Sequence, residues 1–158
     1  MHKTKRMRRS GLSLLELTMV ITIMGIVAAI GSARFGRSAF ANIGAHGDAQ
    51  KVSLSMLRTK REAIKTGDNH YLLFNAANPT PATQYSVMRR GAGGNTLVEG
   101  PFLFSQDVQV IASVSEMDFN FEGEAAGSYQ VNFNGTGRNW QLTVVPVTGA
   151  VIVTDVTP

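Results

Sequence analysis

The chain has 158 residues, enough for one modest domain with a membrane segment, and it contains no cysteine, which excludes disulfide frameworks and thiolate metal sites. The formal charge of +4 is concentrated at one end: Lys3, Lys5, Arg6, Arg8 and Arg9 all precede Gly11, and no acid does. Without residues 1–11 the chain carries ten basic and eleven acidic residues, so its high isoelectric point is no argument for nucleic-acid binding by the remainder.

The first predicted element is the apolar run from Leu12 to Ile30. As a helix rising about 1.5 Å per residue it spans roughly 28 Å, close to the hydrocarbon thickness of a bilayer. The basic cluster before it is expected to stay cytoplasmic and to place the rest of the chain outside. Glu16 stands out inside this run. A carboxylate in a membrane helix costs about 3 kcal/mol on insertion scales, so it needs a partner or a function. A cut between Gly11 and Leu12 would supply one: the new α-amine, with a pKa of about 7.7–8, would carry a proton near neutral pH. It could pair with Glu16 one helical turn away or with Glu16 of a neighbouring subunit, and the latter would also set the axial register of packed helices.

Residues Arg8 to Leu17, Arg-Arg-Ser-Gly-Leu-Ser-Leu-Leu-Glu-Leu, resemble the type III signal of type IV prepilins and pseudopilins. In that signal a basic leader ends in Gly, an apolar residue begins the mature chain, and Glu stands at its fifth position; Gly11, Leu12 and Glu16 match. The resemblance implies that a prepilin peptidase cleaves after Gly11 and methylates the amine of Leu12. Two positions depart from the common form. Ala33, preceded by Gly31 and Ser32, stands where many members have Pro, so a helix break there comes from glycine or is absent. Leu12 replaces the usual aromatic first residue. Competing readings are a conventional signal peptide cut near Gly31-Ser32-Ala33, an uncleaved anchor, and a twin-arginine signal at Arg8-Arg9; the first two leave Glu16 unexplained.

Helical spacing returns from about Asp48 to Thr66. Ala49, Val52, Met56, Ala63 and Ile64 form a stripe with Leu57 beside it, Arg58, Lys60, Arg61, Glu62 and Lys65 form the wet side, and Gly67 is the stop. Gly44 and Gly47 predict an irregularity before it. The period then changes to alternation. Strands are expected at Tyr71–Phe74, Gln84–Met88 and Val108–Val114. In the next, Met117, Phe119 and Phe121 should be buried, and in the following one Tyr129, Val131 and Phe133. Asn134-Gly135-Thr136-Gly137 is a turn, Trp140, Leu142 and Val144 start the return strand, and Thr148-Gly149 closes a last hairpin with Pro146 near an edge. Arg89 to Asn95 is expected to be an exposed turn. The predicted organisation is a leader (1–11), a transmembrane and assembly helix (12–33), its continuation with an amphipathic part (34–66), and a β-rich extracytoplasmic head (67–158). The fold class is α+β, a long helix packed on an antiparallel meander.

The helix-to-strand passage from Ser55 to Gly67 and on to Tyr71–Phe74, together with Phe119-Asn-Phe121, Gly123 and the Val147-Thr-Gly149 hairpin, resembles the GspH/FimT family of minor pseudopilins. That resemblance implies a subunit of a type II secretion pseudopilus or type IV pilus. Its implied partners are the prepilin peptidase, other pseudopilins or pilins in a fibre, membrane lipid, and an inner-membrane assembly platform with its ATPase. The head would prime, cap or modulate the fibre.

Residues for catalysis do not assemble in the sequence. His46 and His70 are isolated in expected linker or loop positions and His2 lies in the leader, so no metal site and no cofactor are expected. Glu116, Asp118, Glu122 and Glu124 could invite calcium, but their alternation with apolar residues fits a solvated strand face better. Asn134-Gly135-Thr136 also matches a glycosylation sequon. Some FimT-type relatives bind DNA through arginines near the C-terminal hairpin; here Gly149-Ala150-Val151-Ile152 has none and only Arg138 is near, so DNA is disfavoured as a partner. A DNA-uptake pilin and a membrane-anchored binding protein outside the pilin class remain the alternatives.

Overall fold

The computed structural model describes residues 13–158. The chain divides into two units, one through Gly36 and one from Arg37 to Pro158. Helix α1 runs Leu14–Thr66 with no proline in it, and it is uninterrupted at Gly31-Ser32-Ala33 and at Gly44 and Gly47. The expected irregularity is therefore absent. Gly44 serves packing instead, since a Cβ there would lie 3.2 Å from Val108 Cγ2 and Ser105 Oγ.

Within the second unit, Ala41, Ala45, Ala49, Val52, Met56, Thr59 and Ala63 are fully or almost fully buried. Their spacing of three and four residues keeps them on one face of the helix. The alanines let the backbone lie close to the strands. Ile64 and Leu57 do not join this face; they are exposed. The helix ends as the sequence predicts, with Gly67 in the left-handed region at φ 74° and its N–H donating to Ala63 O at 3.0 Å.

Eight strands follow: β1 His70–Phe74, β2 Gln84–Gly91, β3 Gly94–Leu103, β4 Gln109–Ala112, β5 Glu116–Phe119, β6 Tyr129–Asn134, β7 Asn139–Val145 and β8 Ala150–Asp155. They form two antiparallel sheets rather than one meander, ordered β3-β2-β1-β5 and β4-β6-β7-β8. Alternation identifies a strand's buried face but not its neighbour, and β4 leaves the first sheet to pair with β6, Val110 opposite Phe133. Both sheets and α1 contribute to one core, including Met56, Leu72, Phe74, Met117, Phe119, Val131, Phe133 and Leu142. Phe121 lies beyond the end of β5 and is exposed, against expectation. The predicted turn at Arg89–Asn95 shrinks to Ala92-Gly93, with both arginines inside β2.

One buried carboxylate ties the helix to the head. Asp48 is 1% exposed; its Oδ2 accepts the Ser105 N–H at 2.8 Å and its Oδ1 faces Lys51 Nζ at 3.4 Å. Hydrogen bonds to a charged group are worth about 1.5–3 kcal/mol, and removing the acceptor would leave the N–H of half-buried Ser105 without this partner. Asp48→Ala is therefore expected to lower the unfolding free energy by about 2–3 kcal/mol in urea. A change under about 0.5 kcal/mol would show that Ser105 finds another acceptor.

Candidate functional site

The stem is the candidate site. Leu14–Gly31 is long and apolar enough to cross a membrane, and none of it is buried within the chain. Leu14, Leu15, Met19, Ile21, Met24, Val27 and Ile30 are all at least 60% exposed, an apolar surface that needs lipid or other helices around it. Its polar groups are handled locally. Thr18 Oγ1 donates to Leu15 O at 2.9 Å and Thr22 Oγ1 to Thr18 O at 2.7 Å, so both hydroxyls are paired within the helix.

Glu16 sits in the first turn of α1, where the helix dipole favours a carboxylate, and its N–H donates to Ser13 O at 3.0 Å. Among the described residues its carboxylate has no hydrogen-bond or ion-pair partner, and the side chain is exposed. Gly11 and Leu12, the expected cleavage and methylation positions, lie outside the described residues.

The other sequence candidates are dispersed and engaged structurally. His46 lies on α1 rather than in a linker, its ring 4.3 Å from that of Trp140. His70 begins β1 and is buried, with Nδ1 3.0 Å from Asp68 O. Glu116 and Asp118 do occupy a strand face, where each accepts from Arg90 Nη2 at 2.8 Å. Arg90 also lies over the Tyr71 ring at 4.7 Å. Burial, with the Glu116 carboxylate adding to it, raises the Tyr71 phenol above its ordinary pKa. Arg89 pairs with Asp68, so the predicted exposed arginines hold strand ends together. Glu124 accepts from Asn120 Nδ2 within the loop after β5. The Asn134-Gly135-Thr136 turn docks on α1: Asn42 Oδ1 accepts the N–H groups of Gly137 and Arg138 at 2.9 and 3.0 Å.

Sequence reasoning missed one further arrangement. Gly123 and Gly149 meet over α1, where a Cβ on Gly149 would lie 2.4 Å from Gly123 O and a Cβ on Gly123 2.7 Å from Ile64 Cδ1. Lys60 Nζ donates to Thr148 O at 2.7 Å beside them. The signal was present, because both glycines belong to the segments that carry the family resemblance.

The chain matches no protein-family model and no curated protein. Among solved structures it is similar to the minor pseudopilin EpsH from the type II secretion system of Vibrio cholerae, with TM-score 0.58, 15% identity, and coverage of 70% of this chain and 96% of that one. A crystal structure of the same pseudopilin aligns with TM-score 0.58 and 11% identity over 72% and 97% of the two chains. The type IV minor pilin FimU of Pseudomonas aeruginosa aligns with TM-score 0.57 and 10% identity over 69% and 87%. The long N-terminal helix followed by an antiparallel head is thus a pilin-like α+β fold. Within that class it is a GspH/FimT-like fold.

Proposed function

We propose that this chain is a minor pseudopilin-like structural subunit of a type II secretion pseudopilus, without catalytic activity of its own. The observation that carries the reading is an apolar, membrane-length stem whose first-turn carboxylate has no partner among the described residues, on a GspH/FimT-like fold. In this reading the leader holds the N-terminus in the cytoplasm and the stem crosses the inner membrane, leaving the head in the periplasm. The prepilin peptidase cuts after Gly11 and methylates Leu12. Stems then pack laterally with other pseudopilins, guided by Glu16, on a platform whose ATPase supplies the energy. The similarity to FimU supports a second assignment, a minor subunit of a type IV pilus, by the same assembly chemistry. Loss of a secreted protein from the medium on deletion favours the first, and loss of surface pili favours the second.

Mass spectrometry of the mature N-terminus from native membranes tests the reading. The expected product begins at methylated Leu12. A chain beginning between Ser32 and Phe35 would mean a conventional signal peptide, and the proposal would fall.

A further inference from the structure

The outer faces of the two sheets differ in charge. On the first, Arg90, Glu116 and Asp118 form the ion cluster over Tyr71. On the second, register places Ile111, Asn132, Gln141 and Thr154 in one row across β4, β6, β7 and β8. The row on one side of it holds Gln130, Thr143 and Ile152, and the row on the other Gln109, Asn134 and Asn139. These positions alternate with Val110, Val131, Phe133, Leu142 and Val144, which fill the core, so they face away from it. No side chain in the three rows carries a charge, and none is aromatic. Asp155 is the one charge on β8, but it lies opposite Trp140 on the inner side, with Arg138 Nη1 at 4.0 Å. Four strands about 4.8 Å apart make this neutral face about 14 Å wide. An ordinary protein surface is about 25–35% Lys, Arg, Glu and Asp.

The neutral face holds a cleft of about 260 Å³, lined by Asn78, Ile111, Ser113, Gln130 and Asn132. Local hydrogen bonds fix two of its polar groups. Ser113 Oγ accepts the Gln130 N–H at 3.0 Å, which leaves its hydroxyl hydrogen to donate. Asn132 Oδ1 accepts from Gln141 Nε2 at 3.0 Å, which leaves the two hydrogens of Asn132 Nδ2. Asn78 is held beside β4 by its backbone, its N–H donating to Ala112 O at 2.9 Å. The side-chain amides of Asn78 and Gln130 have no hydrogen-bond partner among the described residues. Ile111 supplies an apolar wall.

We infer that this cleft and the rows around it bind an uncharged saccharide chain. A primary amide presents N–H donors and a carbonyl acceptor in one plane, which matches adjacent sugar hydroxyls that both donate and accept. Ile111 packs against the C–H face of the ring. Other classes of partner lack their counterparts here. Nucleic acid and anionic lipid need Lys or Arg, and a divalent cation needs carboxylates. Protein interfaces concentrate aromatic residues, Met and Arg at their centre. The three rows contain none of these. The cleft is smaller than the about 300–1,000 Å³ of drug-sized sites, so it takes one ring, with the next rings lying along the rows. The inference rests on the head alone and holds whether or not the stem assembles into a fibre.

The test uses the full chain in a detergent without a sugar headgroup and follows its backbone amide NMR shifts. The probes are the tetramer of N-acetylglucosamine, cellotetraose and maltotetraose, with tetragalacturonate as the anionic counterpart. At least one neutral probe is expected to shift Ser113, Gln130 and Asn132 saturably, with a Kd of about 0.1–1 mM, and tetragalacturonate to bind about tenfold more weakly or worse. Gln130→Ala and Asn132→Ala should each weaken binding about tenfold, the loss of one or two hydrogen bonds. Thr96→Ala, on exposed β3 of the other sheet, should leave it unchanged. The inference is overturned if none of the neutral probes gives a saturable shift, or if tetragalacturonate binds as tightly as they do. Shifts centred away from β4, β6 and β7, or unchanged affinity in both variants, overturn it as well. Shifts on these rows that follow protein concentration without sugar would mean that a second copy covers the face, and would also overturn it. Gln130 is exposed and its side chain is unpaired, so its alanine variant keeps the test decisive if Asn132→Ala does not fold.

Discussion

Replacing Glu16 by alanine is expected to leave the chain in the membrane, with its leader removed, and to exclude it from fibres. The two effects separate because the carboxylate plays opposite parts in them. Alone in hydrocarbon it costs about 3 kcal/mol, so alanine makes insertion easier and the membrane fraction should hold or rise. In a fibre, the same carboxylate is proposed to neutralise the protonated amine at Leu12 of a neighbouring stem. Removing one partner of a desolvated pair strands the other charge, at a cost of about 3–5 kcal/mol. Incorporation should therefore fall by roughly a hundredfold or more, read by immunoblot of sheared fibres against the mature chain in membranes. Normal incorporation of the alanine variant would remove charge pairing from the assembly mechanism, whatever the N-terminus proves to be.

The second large effect is expected in the head. Gly149→Ala should destabilise it by about 2–5 kcal/mol, from left-handed strain of about 1–2 and overpacking of about 1–3. Gly149 sits at φ 58°, where a Cβ is disfavoured, and that Cβ would lie 2.4 Å from the carbonyl oxygen of Gly123. Retreat is blocked, since Gly123 is itself packed against Ile64 and Lys60 of α1. Against a total stability of about 5–15 kcal/mol for a domain of this kind, such a loss is large. Gly137→Ala is the matched control. Its backbone is not left-handed and its nearest neighbour would be Asn42 Nδ2 at 3.5 Å, so its urea midpoint should stay close to the parent's. Equal losses at the two glycines would show that the contact over α1 is not specific.

Several elements were legible because each buries one face against the same core. The stripe Ala49, Val52, Met56 and Ala63 marked the amphipathic part of α1, and the alternations Met117-Phe119, Tyr129-Val131-Phe133 and Leu142-Val144 marked their strands. β3 was invisible for the complementary reason. With both faces exposed, Gly94 to Leu103 has no apolar period to show, and Gly100 and Pro101 resemble a loop. Phe121 misled because alternation was extended past Phe119, where the chain turns back through Gly123.

The candidate site was legible for a different reason. A stem long and apolar enough to cross a membrane is specified by length and apolarity within one segment, and Glu16 is conspicuous because its surroundings are uniform; neither property needs a partner segment to be seen. The sequence by itself thus determined the stem, its unusual carboxylate, the end of α1 at Gly67 and the faces of the alternating strands. Only the tertiary structure decided that the strands divide between two sheets, that Arg90 bridges Glu116 and Asp118, that Gly123 and Gly149 meet over Lys60, and that β3 is an edge strand with all ten residues exposed. Those features join residues far apart in the chain, and they follow from which segments come together in space, which the period of any one segment does not encode.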